Sequence, residues 1–131
     1  MKKSFYLFLL SSILFLSCQK QYSQNTNTVS PDVFASKIEK TAKPQILDVR
    51  TAEEFNAEHL ANAKNIDWLG TEFDTKSATL DKNKDVYVYC RSGARSKKAC
   101  ARLKELGFTS IYELDGGFVK WSTEGHASTK E

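Results

Sequence analysis

Residues 85–96, DVYVYCRSGARS, decide the fold. Asp85 to Cys90 is dense in Val and Tyr, the signature of a buried β-strand. The chain then turns through Gly93 and enters a helical pattern from about Ala94 to Leu106. Ala99, Cys100, Leu103 and Leu106 share one apolar face of that helix, and Gly107 ends it. A strand, a short glycine-containing loop and a helix form the repeating unit of α/β sheets, whose ligand sites lie beyond the carboxyl ends of the strands. Cys90 stands at such an end.

The flanking sequence repeats the alternation. Ser30-Pro31 is a helix start, with Ser as N-cap, Pro pre-set at the first helical position, and Val33, Phe34 and Ile38 as the apolar face. After Pro44, residues 45–49 (QILDV) read as a second buried strand. Thr51-Ala52-Glu53-Glu54 spells a capping box for a helix running to about His59 with Phe55 inward. Ala63 to Ile66 is a weak strand, and residues 67–80 leave a helix carrying Trp68, Leu69 and Phe73 open. Ser110 to Leu114 is a further strand, and Phe118 to Ser122 a short helix after Gly116-Gly117. The expected fold is a single α/β domain, residues 29–125, with a mostly parallel sheet flanked by helices and a disordered tail at 126–131.

The chain has 131 residues, enough for one core, with 40% hydrophobic and 27% charged residues. Residues 1–17, MKKSFYLFLLSSILFLS, join two lysines to a short apolar run and read as a secretory signal peptide. The run is shorter than the roughly 18 residues that suggest a spanning helix. Without it the balance is 17 basic against 16 acidic residues, which excludes nucleic-acid binding on bulk charge. Ser17-Cys18 resembles the cleavage box of bacterial lipoproteins, which implies lipidation of Cys18. Residues 18–28 would then be the lipidated cysteine and a flexible polar tether. The expected location is outside the cytoplasm of a bacterium, anchored to a membrane on its periplasmic or cell-surface side.

In the loop that follows the strand, the first N–H groups of the helix lack internal partners and carry the positive end of its dipole. Gly93 allows the loop amides to converge, making an anion cradle with Cys90 at its rim. A thiolate is favoured there, below the free thiol's pKa of about 8.5. Arg91 and Arg95 add permanent charge, and the candidate binding set is Arg91, Ser92, Gly93, Ala94, Arg95 and Ser96 around the catalytic Cys90. A core cysteine would not need two arginines and a glycine within five residues. Cys100 reads as core, Asp48 and Arg50 as an ion pair or turn contact that fixes loops, and His59 as structural. Gly116-Gly117 would let backbone pass near the loop. The cysteine and histidine spacings give no metal site.

VYVYCRSGARS, KKACARLKELGF and IYELDGGFVKW together look like the active-site half of the rhodanese family. ILDVRTAEEFNAEHLANAKNID resembles its first half. The likeness covers residues 29–125 and departs at Glu58, where a glycine is usual, and at Ala61-Asn62, where Pro-Gly is usual. It implies a thiosulfate sulfurtransferase in which the Cys90 thiolate takes the outer sulfur of thiosulfate or a similar donor, releases sulfite, and passes the sulfur to a thiol or cyanide. It implies no cofactor, and a monomer is expected. Two rivals remain open: a non-catalytic sulfur-carrier or binding module, and a cysteine phosphatase or arsenate reductase. The phosphatase-type signature has five residues between Cys and Arg, whereas four separate Cys90 from Arg95.

Overall fold

A computed structural model describes residues 25–131. The central strand is β4 (Val86–Tyr89), each of whose residues is buried. It pairs in parallel with β2 (Gln45–Asp48) on one side and β5 (Ser110–Leu114) on the other. Strand β3 (Lys64–Asn65) extends the sheet beyond β2, and β1 (Asn25–Val29) closes it beyond β5, giving the order β1-β5-β4-β2-β3 with every pairing parallel. This agrees with the α/β domain read from the sequence.

The period-two alternation of β4 sorts its side chains onto two faces. Val86, Val88 and Cys90 join Leu47, Val49 and Ile111 beneath helix α4 (Ala94–Glu105), which contributes Ala99, Cys100 and Leu103. Tyr87 and Tyr89 enter the opposite core with Phe34 of α1 (Pro31–Lys40) and Trp121 of α5 (Gly117–Thr123). In α1, Ser30 caps through its side chain and Pro31 occupies the first turn. Phe34 is buried as expected, but Val33 points to solvent, 44% exposed.

Helix α2 (Ala52–Ala57) carries the full capping box, with Thr51 accepting from the Glu54 amide and Glu54 returning to the Thr51 amide. Such a cap is worth about 1 kcal/mol. The helix stops before His59, and Phe55 is half-buried and stacked on the His59 ring at 3.8 Å instead of entering the main core. Asn62, standing where the resembled family has glycine, takes a φ of 64°, a turn conformation that Asn tolerates. In the segment left open by the sequence, α3 is short (Phe73–Ser77). Trp68 packs edge-on to Phe73, while Leu69 is 68% exposed.

Two boundaries need correction. The expected tether, 18–28, overlaps β1: residues 25–28 belong to an edge strand, in register from Asn25 opposite Ser110 to Val29 opposite Leu114. NTNTV lacks apolar alternation because it is held by backbone bonds to β5 at the sheet edge. The expected disordered tail, 126–131, packs on the domain. Trp121 Nε1 donates to Ala127 O at 2.9 Å, the His126 ring stacks on Trp121, and Thr129 pairs with His59 in an antiparallel bridge. Main-chain pairing again does what the polar composition conceals. The expected signal peptide at 1–17 and Cys18 lie outside the described residues. Among the described residues, no helix is long and apolar enough to cross a membrane.

Candidate active site

Strand β4 delivers Cys90 to its carboxyl end, and the loop 91–93 wraps its sulfur. The Gly93 amide donates to Sγ at 3.1 Å, and Ser96 Oγ lies 3.4 Å from Sγ. Gly93 caps α4 with a φ of 113°, a left-handed conformation that a side chain would strain. Cys90 is only 1% exposed. That burial pushes its thiol pKa up. Hydrogen bonding with the Ser96 hydroxyl, and hydrogen bonds from the Ser96, Gly93 and Ser92 amides, outweigh it and hold the pKa below the ordinary value.

Two carbonyls at the start of the loop are held by α5. Phe118 N donates to Cys90 O at 2.8 Å and Val119 N to Arg91 O at 3.0 Å. This contact requires Gly117, whose φ is 60°. A Cβ there would sit 2.5 Å from Arg91 O and 2.6 Å from Cys90 O. The close passage expected of Gly116-Gly117 is therefore made by the second glycine.

Of the expected binding residues, Ser92, Gly93 and Ser96 contribute to the ring of donors around Cys90. Arg91 and Ala94 are exposed at the rim. Arg95 is already engaged: its two terminal nitrogens bind the two carboxylate oxygens of Glu54 at 2.6 and 2.8 Å. Arg95 holds Glu54 at a pKa of about 2, against the effect of burial and with help from Thr51. The sequence presented Glu54 only as a capping residue. Its second role joins residues 41 apart, and local spacing carries no signal for it.

Asp48 and Arg50 form the expected structural pair. Arg50 meets both Asp48 oxygens, with a closest contact of 2.7 Å, and reaches the Glu58 carbonyl. Asn65 fixes the same turn by donating to the carbonyls of Asp48 and Arg50. Phe118, read from sequence as core, is half-buried and lies 4.4 Å beneath the Arg50 guanidinium. A depression of about 270 Å³ opens beside the loop, lined by Arg50, Glu54, Glu58, Arg91, Phe118 and Val119.

The other candidates stay apart from this chemistry. His59 packs structurally, its Nδ1 2.8 Å from Phe55 O. Cys100 is buried and free, and burial, followed by the nearby Glu113 carboxyl, pushes its thiol well up. Among the described residues, Asp32, Glu124 and His126 bring potential metal-donor atoms within 4.8 Å of one another. They lie between α1 and the tail, where His126 Nε2 is 3.0 Å from Asp32 Oδ1. They touch none of the loop residues around Cys90.

Comparison with known proteins agrees with this architecture. The profile of the family described as Rhodanese-like domain matches residues 30–124. An uncharacterized protein of Bacillus subtilis, YqhL, is 38% identical over 79 residues, 60% of this chain and 61% of that protein. The chain thus spans less than two thirds of that relative. The thiosulfate sulfurtransferase GlpE of Coxiella burnetii is 38% identical over 76 residues, 58% of this chain and 69% of the relative. A rhodanese-related protein from Thermoplasma volcanium superposes with a TM-score of 0.71 at 28% identity, covering 80% of this chain and 99% of that one.

Proposed function

The chain belongs to the rhodanese-like domain family, and from that premise we propose that it is a sulfurtransferase that takes a sulfane sulfur from thiosulfate or a similar donor through a persulfide on Cys90. The observation that carries this reading is the ring of donors around a buried sulfur, with the Gly93 amide 3.1 Å from Sγ. Such a ring favours thiolate over thiol and would equally hold the terminal sulfur anion of a persulfide.

The Cys90 thiolate attacks the outer sulfur of thiosulfate. A Cys90–sulfur bond forms, the sulfur–sulfite bond breaks, and its electron pair leaves with sulfite. A thiol or cyanide then attacks the terminal sulfur and restores Cys90. Arg91, exposed at the rim, supplies charge for the incoming anion. The ring needs no added base, because the thiol pKa is already lowered.

The test is thiocyanate formation from thiosulfate and cyanide, with parallel-line (ping-pong) kinetics. Faster release of phosphate from an aryl phosphate would instead favour the phosphatase rival. Export and lipidation of Cys18 belong to the same proposal, supported by the basic and apolar composition of residues 1–17 and by Ser17-Cys18. Metabolic labelling with a fatty-acid probe checks them: label on Cys18 is expected, and none would overturn the anchor.

A further inference from the structure

Two of the arginines beside the Cys90 loop are already paired with carboxylates, although the loop sequence reads as cationic. Arg50 is bound to Asp48 and Arg95 to Glu54. Glu58 lines the same depression as Arg50, Glu54 and Arg91. Two of the three guanidinium groups are thus neutralised in place, while the Glu58 carboxylate is held by the Ser128 hydroxyl. Arg91 alone of the three arginines makes no ion pair among the described residues. Arg95 lies in the first turn of α4, directly after the Cys90 loop, and its partner Glu54 lines the depression beside that loop, so their pairing sets the charge an incoming donor meets.

Thiosulfate brings two negative charges to this site, whereas an organic persulfide brings at most one on its sulfane group. Resting on the sulfur-transfer reading above, we propose that Glu54 sets the charge of the donor the site accepts. By holding Arg95 in a two-point pair, it weakens attraction for the thiosulfate dianion and favours organic persulfides. In that reaction the Cys90 thiolate attacks the outer sulfur of R–S–SH. A bond from Cys90 to that sulfur forms and the original S–S bond breaks. The electron pair leaves with the R–S⁻ thiolate, and the proton remains on the new Cys90 persulfide. No oxidant or reductant is consumed.

The experiment measures the rate of Cys90 persulfide formation with thiosulfate and with the persulfide of 2-mercaptoethanol, whose carrier is uncharged. Each rate is divided by that donor's rate with a free cysteine thiolate. The full chain should accelerate the organic persulfide more than thiosulfate. Glu54→Gln keeps an oxygen to accept from the Thr51 amide but loses the charge. It should move the donor ratio toward thiosulfate by about fivefold, the upper range of a partly exposed ion pair. The shift should shrink as salt is added, and Glu54→Asp should restore the ratio. A ratio of two donors on one preparation does not depend on the folded fraction, and the wild-type arm needs no variant.

A wild-type chain that accelerates thiosulfate more, or an unchanged ratio in Glu54→Gln while Cys90 still gains sulfur, overturns the role of Glu54 and leaves sulfur transfer standing. Failure of both donors to modify wild-type Cys90 overturns sulfur transfer itself, and the inference with it.

Discussion

Cys90 and Cys100 belong to one strand–helix unit, lie in the same core cluster and are each 1% exposed, yet their thiols are driven in opposite directions. Burial opposes ionisation of both. At Cys90 it is outweighed by the Ser96 hydroxyl and the amides of Ser96, Gly93 and Ser92. At Cys100, on the inner face of α4, no such donors are present and the Glu113 carboxyl adds to the effect of burial. With the same surface exposure, the two thiols are separated by the donors that face the Cys90 sulfur and by the deeper burial of Cys100.

The largest break of this contrast is Cys90→Ser, expected to cost at least about 10³-fold in sulfur transfer. Cys100→Ser should leave turnover in place; a thiocyanate assay on both variants checks the pair. Next is Gly117→Ala, whose Cβ would collide with the Arg91 and Cys90 carbonyls. It should displace the loop and lower kcat/KM by about 10²-fold, more than it changes the binding of a product analogue. Ser96→Ala removes one donor to the thiolate. The Cys90 titration midpoint should rise, read from the pH dependence of alkylation. The sign follows directly: with a higher thiol pKa, less thiolate exists at neutral pH, and the lost rate returns on the alkaline side.

The smallest effect concerns stability away from the sulfur. The carboxyl of Glu54 is held at about 2, against an ordinary value of 4.5. A depressed carboxyl contributes stability that is present above its unfolded pKa and lost as pH falls toward the folded one. Wild-type stability should therefore decline from about pH 4.5 toward pH 2, and Glu54→Gln should flatten that window in acid-unfolding curves.

The sequence made one half of the contrast legible. DVYVYC showed a strand ending at a cysteine, Gly93 and the helix start showed where amides would converge, and Thr51 to Glu54 showed its cap. These signals are local, set by period and by the geometry of helix ends. The edge strand at Asn25–Val29 and the packed tail were hidden, because both are held by main-chain pairing that polar side chains do not advertise. The Arg95–Glu54 pair was hidden because it joins distant parts of the chain, so two loop arginines read as two free charges when one is engaged. Cys100 was placed correctly by the apolar face of its helix.

The central claim is that the donor ring makes Cys90, and not its buried neighbour, the sulfur carrier. The direct measurement is peptide mass mapping of the protein after incubation with a sulfane donor and removal of excess. One added sulfur atom on the peptide carrying Cys90, discharged by cyanide, with Cys100 unmodified, is the predicted result. Sulfur on Cys100 with Cys90 unmodified would contradict the account.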